Sequence, residues 1–405
     1  MSEESDEESF DAAASSNETV EKSRSDAPMR GHEAVVAPDS LEHGSDVSTT
    51  GIDDPAGIVA GDDTEASVDD RRSAASTIVT LALEGHIRTS TAVSTLATGL
   101  DDPASEAVAL DALATIAEER PRAVDPVLEA VSRRLTDEPV LIRRHASRIV
   151  AERANSDPAA VTGLVSRLVE AVIAAGRSDA PDAGRPSHRL HPGRRTVADG
   201  RVGRRAAAVL GEVARIEPES VAPELDRLEP VIDPNSAQDP RLRERVTAIV
   251  RRVATASPAA SIELLPSLVE LLEAENVPVP ARAGGAAALA ALAETRLERT
   301  TDQARAAIPA LESLLTDEDP SVRARAGSLL SYIAQRHPEA TAPLTRPLID
   351  RLDDEPVSVR ASTVWTLGYI GTEPALDALR AVANTDPDPD LQALATDRLH
   401  AATDD

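Results

Sequence analysis

The chain has 405 residues and a net charge of −28, with 70 acidic residues against 42 basic ones, of which all but Lys22 are arginine. It contains no cysteine, which excludes disulfides, thiol nucleophiles and thiolate metal ligands. An acidic surplus with almost no lysine is typical of a halophilic cytoplasmic protein, because high salt screens the self-repulsion of a strongly charged surface.

Residues 1–72 form a distinct acidic segment with 20 acidic and 5 basic residues. The segment shows no helical period and has too little apolar surface to offset the entropy lost on ordering. We therefore predict a disordered arm over 1–72. It serves either as a solubilising tail or as a regulatory segment in intramolecular contact with the arginine-rich part of the chain.

The start of the chain lacks the apolar core of a targeting signal. The longest run of small apolar residues, at 283–293, is too short to span a bilayer. We expect a soluble cytoplasmic protein that does not associate with membranes.

One phrase recurs along the rest of the chain: an acidic residue, proline, two or three residues, arginine, and then small and apolar residues. Clear copies lie at 137–146, 239–248, 319–328 and 355–364, with weaker ones at 101–110, 199–208, 276–285 and 388–397. The markers recur at intervals of 33 to 42 residues, apart from one interval of 61. A period near 38 indicates a repeat array, and such arrays offer extended binding surfaces more often than catalytic pockets.

Each repeat is predicted to hold two amphipathic helices joined by a short turn. In 320–336 the apolar residues recur at helical spacing, and Pro320 suits the first helical turn. Neither helix can bury its apolar stripe alone, so neighbouring repeats must stack. We predict eight helix pairs within 73–405, preceded by a capping helix near 73–84. The predicted second helices are 104–118, 139–154, 201–216, 240–256, 279–297, 320–336, 357–371 and 389–402.

The interval of 61 residues holds one repeat and an insertion at 176–198. Its proline, glycine and arginine content predicts a loop between the two helices of the third pair. This loop contributes Arg189, Arg194 and Arg195 to the basic residues of the region.

The pattern Leu-x-Asp-x-x-Pro-x-Val-Arg-x-x-Ala, clearest at 314–330 and 351–371, resembles the HEAT repeat, particularly the HEAT-like repeats of the phycobilin-lyase type. The resemblance covers about 86–402. It implies an all-α, right-handed α-solenoid in which the second helices line the concave surface. It also implies a structural ladder of turn aspartates and helix arginines between adjacent repeats. By position, the ladder pairs are Asp137 with Arg143, Asp199 with Arg204, Asp239 with Arg243, Asp317 with Arg323, and Asp353 with Arg360.

Arginine beyond the ladder accumulates in three consecutive second helices. Arg144, Arg148, Arg205 and Arg245 fall off the buried stripes and are predicted to face the concave side. Such a surface fits an acidic protein segment, a nucleic acid or the chain's own arm, or it is a solvated face balanced by acids on neighbouring helices. The lack of aromatic residues in this zone disfavours nucleic acid, because bases have no platform for stacking.

Three aromatic residues, Tyr332, Trp365 and Tyr369, lie near the C-terminal end of the array. The two tyrosines occupy equivalent positions in adjacent repeats, and Trp365 lies one turn before Tyr369. They are either interface anchors for a partner or packing residues for the terminal helix pair.

No catalytic constellation, metal-binding motif or cofactor motif stands out. Di-iron enzymes with HEAT-like repeats bind metal through His-Glu pairs on repeat helices, whereas the only such pair here is His32-Glu33 in the acidic segment. The sequence predicts a non-catalytic scaffold that binds a protein partner through the arginine face and the aromatic residues. A nucleic-acid-associated protein is the first alternative, and a lyase-like or other enzyme of the HEAT-like class is the second.

Overall fold

The computed structural model describes residues 54–63, 65–137, 139–177, 192–236 and 239–404, and these residues form α-helices, 3-10 segments and turns without a strand. The α-helices are α1 (Pro55–Ala60), α2 (Val68–Leu83), α3 (Thr89–Thr98), α4 (Glu106–Glu119), α5 (Leu128–Ser132), α6 (Val140–Ser156), α7 (Val165–Arg177), α8 (Pro192–Ile216), α9 (Pro218–Val221), α10 (Glu229–Ile232), α11 (Pro240–Ala256), α12 (Pro258–Ser261), α13 (Leu265–Glu273), α14 (Val279–Ala304), α15 (Ile308–Leu314), α16 (Pro320–Arg336), α17 (Pro338–Thr341), α18 (Thr345–Ile349), α19 (Val357–Ile370), α20 (Glu373–Thr385) and α21 (Pro389–Asp404). The 3-10 segments are Pro121–Val127, Arg133–Leu135, Pro158–Leu164, Ala222–Leu228, Ile262–Leu264, Arg305–Ala307 and Ala342–Leu344.

Eight second helices pack side by side in chain order, and the shorter pieces between them form the first helices of the pairs. The second helices are α4, α6, α8, α11, α14, α16, α19 and α21. The predicted bounds are met at both ends of α11 and α16. The predicted all-α solenoid of helix pairs is therefore confirmed.

Proline explains why the first helices are broken while the second helices are continuous. In the fourth pair, Pro218, Pro223 and Pro230 each lie in the first turn of a new piece. Proline lacks the N–H that would continue the preceding turn, but its fixed φ suits the start of the next one. The second helices have proline only in their first turns, so they run unbroken along the array.

The array begins earlier than the sequence predicts. α1 and the start of α2 lie inside the segment 1–72, which corrects the predicted disorder for residues 54–72. Ser67 caps α2 through a reciprocal pair of hydrogen bonds with Asp70. The capping pattern of Ser67 and Asp70 can be recognised in the sequence, but the acidic composition around it led to the prediction of disorder. Residues 1–53 of the predicted arm lie outside the described residues.

Helix also occupies both ends of the insertion predicted as a loop at 176–198. α7 continues to Arg177, and α8 begins at Pro192, so Arg194 and Arg195 belong to a helix. Pro192 stands in the first turn, where proline is tolerated, and the helix then runs on through four glycines. Residues 178–191, including Arg189, lie outside the described residues.

The core runs along the array between the two layers of helices, and small residues bring the second helices close together. A Cβ atom on Gly284 of α14 would lie 2.3 Å from the Thr247 hydroxyl oxygen of α11. Gly284 therefore allows α14 to pack closely against α11. Near its end α14 is kinked at Arg296, whose φ of −131° and ψ of 43° mark the passage from the second helix of the fifth pair to the first helix of the sixth.

One stretch, Pro158–Ala175, is long and apolar enough by length and composition to cross a membrane. It forms the first helix of the third pair, where Val161, Leu168 and Val172 are buried in the core of the array. Packing within the solenoid accounts for its composition.

Candidate partner-binding face

The second helices share one register. Those from α4 to α19 each bury two adjacent residues near the middle, such as Ile149 and Val150 in α6 or Leu329 and Leu330 in α16. The ladder position is seven residues before the second of these, and it holds Arg143, Arg243, Arg282, Arg323 and Arg360. In α6, α11, α16 and α19 the residues one, two, five, eight and nine positions after it lie off the buried stripe, whereas in α14 only the residue five positions after it does. We call this side of the layer the second-helix face.

Two of the ladder arginines, Arg323 and Arg360, tie one turn to the next. Arg360 donates to the carbonyls of Asp354 and Glu355, at 2.9 Å each, in its own turn. Its guanidinium also makes two hydrogen bonds of 3.0 Å to Asp386, which lies in the following turn and is buried. Arg323 makes the same arrangement with the Asp317 carbonyl and the Asp354 carboxylate.

The predicted pairings therefore need correction. The carboxylate partner of Arg323 is Asp354 rather than Asp317, and that of Arg360 is Asp386 rather than Asp353. The physical reason is that an arginine in the first helical turn lies over its own turn's carbonyls, so its free edge points to the neighbouring repeat.

The middle of the ladder differs again. Arg243 donates to the carbonyls of Val231, Asp233 and Ser236, at 2.9 to 3.3 Å, rather than to Asp239. Asp239 caps α11 at the Arg241 amide and pairs with Arg204.

In α8 the buried residues put Gly203 at the ladder position, so Arg204 reaches Asp239 from one residue further on. The Asp199 side chain, the predicted partner of Arg204, lies outside the described residues. In α6, Arg143 donates to the Asp137 carbonyl at 2.6 Å.

The first half of the predicted arginine face is largely balanced by neighbouring groups. Arg148 pairs with Glu118 of α4, with its Nε donating at 2.7 Å, and lies 3.8 Å from Asp111. Arg205 is partly buried and donates to the Ser147 hydroxyl at 3.0 Å. Burial and the charges of Arg144 and Arg148 lower the pKa of Arg205, although Glu152 opposes them. Arg144 is exposed beside them.

The second half of the face has arginines without such balance. Arg245 and Arg325 are exposed, and neither makes an ion pair with any residue in the described part of the chain. Arg251 is partly buried, and burial together with the charges of Arg252 and Arg325 lowers its pKa. Arg252 donates to the Gly211 carbonyl at 3.2 Å. Sequence reasoning missed Arg251 and Arg325 as a pair, because they lie on helices α11 and α16, which α14 separates.

The aromatic residues contact the terminal helix. Trp365 and Tyr369 stack with their ring centroids 5.9 Å apart, and the Arg398 guanidinium of α21 lies 4.0 Å from the Trp365 centroid. Tyr332 is partly buried, and burial together with the nearby Glu294 carboxylate raises its pKa to about 12. This geometry favours the packing role among the two roles that the sequence left open for these residues.

Sites for chemistry are sparse in the part of the chain that the structure describes. It holds no group of three or more histidine and acidic side chains that could bind a metal ion. A cavity of about 480 Å³ lies at the kink of α14, lined by Ala259, Ile262 and residues 295–299. Its charged groups are arginine and glutamate, without a nucleophile beside a base.

Residues 308–400 match the family model of HEAT repeats. Among solved structures, an engineered protein of the Northeast Structural Genomics Consortium is 17% identical, with a TM-score of 0.54, and the match covers 87% of this chain and 99% of that chain. Kap121p is 15% identical with a TM-score of 0.38, over 85% of this chain and 41% of that chain. No curated protein matches this chain in sequence.

The likeness to the engineered protein shows a shared fold alone, since the identity is low. The family match is independent of it and covers the sixth to eighth second helices with the first helices between them. Residues 308–400 are therefore similar to HEAT repeats, and the helix pairs that precede them extend the array of packed helix pairs.

Proposed function

We propose that this chain is a non-catalytic cytoplasmic scaffold that binds a protein partner along the second-helix face. The observation that carries this proposal is the row of arginines on that face, of which Arg245, Arg251 and Arg325 have no carboxylate partner among the described residues. A partly buried charge without a partner costs stability in the free protein, so Arg251 in particular points to a ligand that supplies the opposite charge. HEAT repeats, to which residues 308–400 are similar, offer an extended surface suited to that task.

The lack of cysteine allows a direct test, because a single introduced cysteine gives a unique point for attaching a photo-crosslinker. We would place it on the face by Ala151→Cys, Ala287→Cys or Ser362→Cys, and on a first helix by Arg346→Cys as the matched control. Arg346 is a suitable control because its side chain is 84% exposed on α18.

We expect the face positions to crosslink one protein from an extract of the native cell, and Arg346→Cys to crosslink it far less. Adding Arg205→Glu and Arg245→Glu should remove the crosslink by reversing the charge of the face. Nuclease-sensitive crosslinks would favour a nucleic-acid ligand instead. Equal capture from the face and from Arg346→Cys would contradict the proposal.

A further inference from the structure

Three neighbouring second helices, α11, α14 and α16, form a surface with arginine on both sides and small residues between. α11 contributes Arg245, Arg251 and Arg252, and α16 contributes Arg325. Both helices pack directly against α14, which separates them. The corresponding positions of α14 hold small residues, of which Gly284, Ala290 and Ala291 are buried and Ala287 is partly exposed.

The charges of arginines on separate helices interact across α14. Burial and the charges of Arg252 and Arg325 lower the pKa of Arg251, so Arg325 of α16 acts on Arg251 across α14. Arg252 donates to the Gly211 carbonyl of α8, so its guanidinium reaches towards α8, on the other side of α11 from α14.

These cations lack counter-charges in the described part of the chain. No ion pair or hydrogen bond joins the guanidinium groups of Arg245, Arg251 or Arg325 to any described residue. Asp319 at the start of α16 interacts with the charge of Arg325 but lies beyond ion-pair distance. In a protein of net charge −28, a partly buried cluster of like positive charges is stabilised most by an anion from outside.

We propose that this surface, the α14 cradle formed by Arg245, Arg251 and Arg325 on either side of α14, binds a short acidic peptide segment in extended conformation. This inference rests on the function proposed above and names its ligand class. Packed helices lie about 8–10 Å apart, so the span from α11 to α16 is roughly 16–20 Å. An extended chain rises about 3.3 Å per residue, which gives roughly five or six residues with carboxylates at both ends.

The α14 cradle favours a peptide over a nucleic acid. Ala287 of α14 is partly exposed and offers a small apolar contact, whereas stacked bases need aromatic platforms. The exposed carboxylates of Glu244 and Glu294 lie towards opposite ends of α11 and α14. They would repel a long polyanion that ran along the helices, but a short peptide laid across them avoids both.

The test uses the full chain and a fluorescein-labelled peptide, Glu-Glu-Ala-Ala-Glu-Glu, with its glutamine counterpart as the ligand control. Fluorescence anisotropy gives the dissociation constants at fixed ionic strength. Arg251→Gln and Arg325→Gln should each weaken binding of the acidic peptide by roughly tenfold, the scale of one charge-assisted hydrogen bond. Arg346→Gln on α18 should leave it unchanged.

Thermal unfolding distinguishes a binding role of Arg251 from a structural one, because loss of a structural residue would lower the unfolding midpoint of the free protein. Because Arg251 is partly buried among like charges, Arg251→Gln should leave the midpoint of the free protein unchanged or raised. The acidic peptide should raise the midpoint of the wild type more than that of Arg251→Gln.

Equal affinity for the acidic and glutamine peptides, tighter binding of a six-nucleotide single strand, or a loss of stability in Arg251→Gln would overturn the inference. These outcomes are separable from failure of the scaffold proposal. If Ala151→Cys and Ser362→Cys capture a protein while the peptide does not bind, the scaffold proposal is supported and peptide binding at the α14 cradle is contradicted. If the peptide binds but no face position captures a protein, the scaffold proposal falls.

Discussion

The ladder arginines show how much one side chain contributes to a repeat array. Arg360 and Asp386 form a pair whose side chains are 7% and 4% exposed. Arg360→Ala would leave Asp386 buried without its partner. It would also leave two carbonyls of the preceding turn without a hydrogen-bond donor. We predict a loss of about 3–5 kcal/mol in the free energy of unfolding of the C-terminal repeats. Urea unfolding followed by the fluorescence of Trp365, the only tryptophan, measures it.

The matched control is Arg346→Ala. Arg346 pairs with Asp350 at 3.6 Å on the surface of α18, with side chains 84% and 54% exposed. Removing an exposed pair of this kind changes stability by at most about 0.5 kcal/mol. If both substitutions had the same small effect, the ladder would not be the tie between repeats that its geometry indicates.

Between elements, the spacing of the second helices depends on residues without side chains. Gly284→Ala would place a Cβ 2.3 Å from the Thr247 hydroxyl, which is itself buried and donates to the Glu244 carbonyl at 2.8 Å. Overpacking of this kind costs about 1–3 kcal/mol, more than alanine gains over glycine in a helix. Thermal unfolding followed by circular dichroism should therefore show a lower midpoint for Gly284→Ala.

Gly163→Ala serves as the control, because a Cβ there meets nothing within 4 Å. It should be neutral or stabilising by about 0.4–1 kcal/mol, since alanine restricts the unfolded chain. Adding Thr247→Ala to Gly284→Ala should recover part of the loss. No recovery would show that the damage lies elsewhere than at the α11–α14 contact.

The elements were predictable where the repeat phrase places a proline and an acid at a helix start. α11 and α16 begin at Pro240 and Pro320 because both cues are local. Prediction failed where composition outweighed local cues, as at Ser67, whose capping of α2 lies in an acidic stretch. It also failed at Pro192, where a proline read as a breaker instead starts α8.

At the scale of the whole molecule, the candidate face was only partly predictable, because its charge balance depends on contacts between repeats. The sequence puts Arg148 on the face but does not show that Glu118, 30 residues earlier, neutralises it. Arg251 and Arg325 are 74 positions apart in the sequence, so nothing in it relates them. In the fold, only α14 lies between the two helices that carry them. Periodicity predicts which side of a helix a residue occupies, whereas neighbours across the array decide whether its charge is free.

The whole-molecule charge should make folding and binding respond to salt in opposite directions. A net charge of −28 opposes compaction, and salt shortens the Debye length from about 10 Å at 0.1 M to about 3 Å at 1 M. The free energy of unfolding in urea should therefore rise between 0.1 and 2 M KCl. Ladder pairs such as Arg360–Asp386 are buried, so salt screens them little. Added salt therefore weakens the repulsion between surface carboxylates but leaves the ion pairs between repeats intact.

Binding of the acidic peptide should weaken over the same range of salt. Salt screens the attraction between the carboxylates of the peptide and the exposed guanidinium groups of Arg245 and Arg325. Arg325→Gln should bind less tightly at 0.1 M KCl and show a shallower dependence on salt, since one screened contact is gone. Urea titrations and anisotropy at 0.1, 0.5 and 2 M KCl measure both trends. Stability that falls with added salt would mean that exposed ion pairs, rather than repulsion among the acidic residues, dominate the electrostatics of the fold.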